Sequence, residues 1–179
     1  TVPATLHLVF APRGQLDLED ITTDVTINGR LTASPTQQIF TGNGRYNITF
    51  AAGTVAFITP QNYGALGDGV ANDGAIIQGI LTNWSSTATL YFPCGTYNGS
   101  ASITIPAIDG IRLVGAGSCT VLKNTATNNG VFGLTAGADK FELSYMKLEG
   151  SGTLAVLGRG LIYVNSSGTA TPTTHAHIH

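Results

Sequence analysis

Charge is what this sequence has least of. Eight Lys or Arg and ten Asp or Glu are all that 179 residues carry, 10% of the chain, where a soluble domain has about 25%. The eight cations are scattered, so no clustered positive face can neutralise phosphates, and nucleic acid is excluded as a partner. A formal charge of −2 with 42% hydrophobic residues excludes intrinsic disorder, which needs low hydrophobicity and high net charge. No apolar run approaches the ~20 residues of a membrane-spanning helix, so no membrane insertion is expected. Glu, Lys and Ala at heptad spacing are missing too, which removes coiled coils and helical bundles.

What replaces charge is Thr, Ser, Asn and Gly. The 23 Gly and 7 Pro are spread through the chain, and short apolar runs such as Leu6 to Phe10, Ile103 to Ile105 and Ile111 to Val114 lie between them. Short β-branched runs punctuated by turn formers predict an all-β fold of many short strands. Low charge suits stacked parallel strands, whose faces are largely covered. The chain starts at Thr1 without a basic-then-apolar leader and stops at His179 in a strand-like run. It is therefore expected to be a piece of a longer or processed polypeptide.

Residues 1–60 predict a small β-rich prelude, with strands within Leu6 to Phe10, Gln15 to Leu18, Asp24 to Ile27, Gln38 to Phe40, Arg45 to Phe50 and Val55 to Ile58. Turns such as Asn28-Gly29 and Gly42-Asn43-Gly44 supply tight reversals between them. Asp17, Glu19, Asp20 and Asp24 form the one acidic cluster; without the spacing of a known Ca²⁺ loop it is expected to be a solvated turn. Residues 61–88 read as a lead-in loop and a capping helix near Asp73 to Asn83. Asn72 and Asp73 are its N-cap candidates, and Ile76, Ile77, Ile80, Leu81 and Trp84 lie on one face. That register predicts a buried Trp84 rather than a sugar platform. Residues 89–179 show a loose repeat through Thr104, Phe132 and Ile162, through Tyr91, Arg112 and Phe141, and through Val121 and Met146. Three interleaved series at coil-sized spacing predict a solenoid, and a solenoid's open edge needs a cover such as an amphipathic helix.

Tyr63-Gly64-Ala65-Leu66-Gly67-Asp68-Gly69-Val70-Ala71-Asn72-Asp73, followed by Ala75-Ile76-Ile77-Gln78, resembles the lead-in motif of the pectate-lyase-superfamily right-handed parallel β-helices, F-G-A-x-G-D-G-x-x-D-D-T-x-A-I-Q. Tyr91-Phe92-Pro93-Cys94-Gly95-Thr96-Tyr97 resembles its F-P-x-G-x-Y, and Leu113-Val114-Gly115-Ala116-Gly117 its next G-x-G turn. Order and spacing agree from Tyr63 to about Asn124. The departures are Asn72 for the first Asp of the pair and Gly74 for the Thr, the latter costing a helix about 1 kcal/mol. Asp68 and Asp73 are then expected to organise the turn and cap the helix rather than to form a catalytic pair. The resemblance implies a virion-associated, tail-spike-like protein engaging a host-surface polysaccharide, homotrimeric, on the virion tail or extracellular. Its alternatives are a secreted polysaccharide-degrading enzyme of pectate-lyase or polygalacturonase type, and a structural fibre or adhesin segment.

Catalytic chemistry on this scaffold needs paired carboxylates for hydrolysis, or Ca²⁺-binding carboxylates with a base for elimination. Neither set is visible. After Asp109 the acids are Asp139, Glu142 and Glu149, and the best pair, Asp109 with Asp139, lacks a partner to raise one pKa. Lys140, Lys147 and Arg159 are isolated bases, and Glu142 with Lys140 suits a surface ion pair. His175, His177 and His179 would share one strand face at ~6.6 Å intervals, too far apart for one ion, and are expected to be a polar strand start. No metal and no cofactor are implied. Cys94 and Cys119 lie about one coil apart, but aligned on the turns Cys94 falls opposite Ala116, so two reduced thiols are expected. Any enzyme activity would need residues beyond His179.

Overall fold

A computed structural model describes residues 1–84, 88–127, 130–135, 140–151, 162–165 and 176–178. Its strands are all short and all paired in parallel. The prelude holds β1 (Leu8–Val9), β2 (Leu16–Asp17), β3 (Val25–Ile27), β4 (Leu31–Thr32), β5 (Phe40–Thr41) and β6 (Ile48–Phe50). Then come β7 (Phe57–Ile58), a 3-10 turn at Pro60–Tyr63, β8 (Asp68–Asn72) and the helix α1 (Asp73–Thr82). Three more coils follow: β9 (Thr89–Phe92), β10 (Gly95–Gly99) and β11 (Ile103–Ile105); β12 (Arg112–Gly115), β13 (Thr120–Thr127) and β14 (Phe132–Thr135); β15 (Phe141–Ser144), β16 (Lys147–Ser151) and β17 (Ile162–Asn165). β18 (Ala176–Ile178) begins the next.

Strands of successive coils stack into three sheets, β7-β9-β12-β15-β18, β8-β10-β13-β16 and β11-β14-β17. The fold is an all-β solenoid with one short helix. Every second side chain points inward, so like residues stack along the axis. Ile58, Leu90, Leu113 and Leu143 follow one another in register, each at most 2% exposed. Ile103 stacks on Phe132 and Ile105 on Leu134 in the third sheet. This register corrects the repeat read from the sequence. Thr89, Arg112 and Glu142 are true partners where Tyr91, Arg112 and Phe141 were aligned, and Val121 pairs with Lys147, not Met146. A one-residue slip exchanges inward for outward faces, so the correction decides what is on the surface.

The prelude is wound the same way. β1 pairs with β4, β2 with β5 and β3 with β6, all in parallel. Its Gly-rich turns are therefore corners between faces of a coil and not the reversals their composition suggests. Leu31–Thr32 is a strand that sequence reasoning passed over. The prelude and the longer coils share one buried core, from Ile27 and Phe40 through Tyr63 and Trp84 to Phe141. Phe40 lies 5.0 Å from Tyr63, and Tyr46 stacks on Tyr63 at 6.0 Å.

Helix α1 stands where its coil would otherwise contribute to the third face. On one side Ile80 and Trp84 meet Tyr46, Ile48 and Phe50 of the prelude. On the other, Gln78 treats β11 as a neighbouring strand would: Thr104 N–H donates to Gln78 Oε1 at 2.7 Å, and Gln78 Nε2 donates to Thr104 C=O at 3.3 Å. Trp84 is buried, as its register implies. The helix start is not capped as expected, since Asn72 makes no side-chain cap hydrogen bond. Its amide is turned to Ser100 instead, Nδ2 donating to Oγ at 2.9 Å. Gly74 has a packing reason: a Cβ there would lie 2.7 Å from Gly99 Cα. Gly115 is required by the next coil, because its Cβ would lie 2.2 Å from the Tyr145 carbonyl oxygen.

The two cysteines are bridged, which corrects the expectation of free thiols. Phe92 pairs with Gly115, a step of 23, whereas Gly95 pairs with Thr120, a step of 25. The corner before β13 is thus two residues longer than the one before β10, and the extra length brings Cys119 beside Cys94 with Cα atoms 4.9 Å apart. Turn-based alignment cannot see an insertion absorbed inside the corner.

Candidate functional site

Two carboxylates come close together in the lead-in loop, and both are committed to it. Asp73 is fully buried; its Oδ1 accepts from Leu66 N–H at 2.8 Å and its Oδ2 from Gly67 N–H at 2.9 Å. Burial pushes its carboxyl above the ordinary aspartate range, while the two N–H donors pull the other way and neighbouring Asp68 adds a small upward push. Asp68 Oδ1 accepts from Ala71 N–H at 2.9 Å and Val70 N–H at 2.8 Å, which holds its pKa below the ordinary value. Carboxylates pushed in opposite directions are the signature of an acid–base pair. Here, however, Asp73 has no face toward solvent and no oxygen without a backbone donor. The pair organises the turn, as the sequence implies, but it does not cap the helix as expected: the donors are the Leu66, Gly67, Val70 and Ala71 amides, all upstream of α1. Asp73→Asn would set an NH₂ group against one of those N–H donors, and is expected to cost roughly 2 kcal/mol in urea unfolding.

The outward face of the first sheet gathers a different set. The Phe57 and Tyr91 rings lie 5.2 Å apart on β7 and β9, and Phe57 is 47% exposed. Beside them Arg112 of β12 meets Glu142 of β15, with Nε to Oε2 at 2.7 Å and Nη2 to Oε1 at 3.4 Å. The pairing follows from register, because Arg112 and Glu142 are Cα partners on neighbouring coils. The hydrogen bond to Glu142 and its charge together raise the Arg112 pKa. At the corner after β15, Tyr145 has a positive φ of 55° and is 65% exposed; its carbonyl accepts from Gly117 N–H at 2.8 Å, which fixes the corner. Rings for the apolar faces of a ligand and a fixed guanidinium–carboxylate pair for its hydroxyls are what a sugar-binding surface needs. Sequence reasoning aligned Arg112 with Phe141 and so missed this grouping.

Other candidates are dispersed or engaged. In the acidic cluster, Asp17 Oδ1 accepts from Thr41 Oγ1, and Asp20 accepts from Thr22 and Thr23. Among the described residues no three His, Cys, Asp or Glu converge on a possible metal position. Asp109 sits in an exposed turn before β12, and Asp139, Arg159, His175 and His179 lie outside the described residues. The backbone of His177 in β18 is in register with Glu142. Lys147 pairs with Glu149 at 2.7 Å on the second sheet. No helix among the described residues is long and apolar enough to cross a membrane.

Stacked parallel coils with an aromatic and polar outer face define a β-solenoid protein. The chain belongs to the pectate-lyase-like family described as rhamnogalacturonase A/epimerase, whose model matches residues 57–149, more than half of the sequence. No curated protein matches. A solved structure of ORF18 from Geobacillus virus E2 is similar over 52% of this chain, at 28% identity and a TM-score of 0.40. The present chain covers 24% of that protein's length, and a superposition this loose says nothing about what either one binds.

Proposed function

We propose that this chain is a segment of a virion-associated, tail-spike-like protein whose right-handed parallel β-helix engages a host-surface polysaccharide. The observation that carries the reading is the Phe57, Tyr91, Arg112, Glu142 and Tyr145 surface on a pectate-lyase-like scaffold. Right-handedness is supported by the strong preference of parallel strand connections for that hand. The contact of Gln78 with β11 supports α1 as the cover of the third sheet's edge. The exposed Cys94–Cys119 bridge supports an extracellular or virion-surface location, since disulfides persist in oxidising surroundings. The low-charge outer faces support a homotrimer, which sedimentation of the purified chain would test; a stable monomer at micromolar concentration rejects it.

The family's own description favours a second reading, a secreted polysaccharide-degrading enzyme whose catalytic residues lie outside these 179. One experiment separates the two for this chain. It is passed over immobilised lipopolysaccharide O-chains, capsular polysaccharide and pectin, while reducing ends and unsaturated-uronate absorbance are followed in solution. Retention without turnover is expected, weakened by Arg112→Ala and by Tyr145→Ala. Absence of retention rejects the binding reading, and turnover lost in Asp109→Asn would make this segment an enzyme in its own right.

A further inference from the structure

The first sheet is interrupted once along its stack. β4 pairs with β1 and β7 with β9, yet β4 and β7 share no ladder. The alternation of parallel pairing tells where their backbone groups point. Leu8 N–H donates to Arg30 C=O and Phe10 N–H to Thr32 C=O, so Leu31 and Ala33 direct their own N–H and C=O toward β7. Thr89 N–H donates to Ala56 C=O, so Phe57 directs its peptide groups back toward β4. Among the described residues neither set finds a partner across the gap.

The gap is a groove of about 180 Å³ between Leu31, Thr32 and Ala33 on one side and Val55, Ala56 and Phe57 on the other. It could hold on the order of ten waters. Peptide groups that face each other without pairing call for an occupant with both donors and acceptors. An added β-strand would need its neighbours ~9.6 Å apart, twice the strand spacing. A strand would also have to run on through the slot, and its far end is shut. Thr59 Oγ1 donates to Pro35 C=O at 2.7 Å and Ile39 N–H to Asn62 C=O at 3.0 Å, which closes one end of the slot. Both strands are two residues long, and Pro35 follows β4. A single sugar ring fits such a slot, with hydroxyls to meet the peptide groups and an apolar face for the Phe57 ring. The groove lining holds no Lys or Arg to balance a uronate or a phosphate, and the ionisable side chain bonded to the lining is His7, 2.9 Å from Thr32 Oγ1.

We propose that the groove between β4 and β7 binds one uncharged pyranose unit, through the free peptide groups of Leu31, Ala33 and Phe57 and the ring of Phe57. The inference rests on the polysaccharide reading and adds to it a site and a charge class. The test is saturation-transfer NMR on the whole chain. The probes are the methyl glycosides of glucose, galactose, mannose and rhamnose, with galacturonate as the charged counterpart. At least one neutral glycoside is expected to bind and galacturonate not to. Ala56→Trp, which fills the groove from an exposed position, and Phe57→Ala should each weaken binding at least tenfold; Leu66→Ala, exposed on the lead-in loop and outside the groove lining, should leave it unchanged. No neutral glycoside bound, galacturonate preferred, or full binding by Ala56→Trp would each overturn the groove assignment. Retention on immobilised polysaccharide would survive any of these if only the groove is wrong, and would be lost with them if the wider reading fails.

Discussion

Ile80→Asp is expected to destabilise the chain by roughly 3–5 kcal/mol, the usual cost of an uncompensated buried charge. Ile80 is 3% exposed and lies where α1 meets the prelude, against Tyr46, Phe50 and Trp84. A carboxylate there loses its hydration and gives up the apolar contacts of the isoleucine. Among the described residues the helix is also the element that joins the prelude's third face to β11, through Gln78 and Thr104. Loosening it should therefore expose both edges. Urea unfolding followed by tryptophan fluorescence reads the effect directly, because Trp84 is the single tryptophan and shares that packing. Ala75→Asp is the control: the site is exposed in the helix's first turn, where a negative charge is tolerated or mildly favourable. Equal stability of Ile80→Asp and the parent chain would remove α1 from the core of the solenoid.

The position of that helix is legible because its signal is local. Ile77, Ile80, Leu81 and Trp84 recur at helical spacing, and all four are buried. The lead-in motif placed the turn and the first coil for the same reason: Gly67, Asp68 and Asp73 act within a few residues of one another. What stayed hidden is whatever depends on stacking one coil on another. Asn28-Gly29 and Gly42-Asn43-Gly44 have the composition of hairpin turns, and corners of a coil use the same residues, so parallel winding of the prelude could not be told from reversal. Two-residue strands such as Leu31–Thr32 carry no periodicity. The Arg112–Glu142 pair needs a register good to one residue across a 30-residue coil, and coil length is set by loops whose sequence says little about it. Gln78 is the instructive case. Helical spacing puts it on the polar side of α1, and only the coil beyond gives its amide a backbone to pair with.

The Cys94–Cys119 bridge depends on the same stacking, and its removal should be felt throughout the coils it joins. It spans 25 residues, and closing a loop of that size removes about 3.5 kcal/mol of unfolded-state entropy in the chain model. Both cysteines are exposed at the corner between the first two sheets, so a reductant can reach the bond in the folded protein. The neighbouring bonds, Gly95 N–H to Cys119 C=O at 3.0 Å and Thr120 Oγ1 to Phe92 C=O at 3.0 Å, hold the coils in register without it. Reduction is thus expected to leave the fold intact at room temperature while lowering the melting temperature by on the order of 10 °C. The Cys94→Ser, Cys119→Ser double variant should melt with the reduced protein, and adding reductant to it should change nothing further. Intact mass measurement after alkylation supplies the independent reading: no thiol modified before reduction, two after. Two alkylated thiols in the untreated protein, or an unchanged melting temperature on reduction, would return both residues to free cysteines and leave the longer corner before β13 without a purpose.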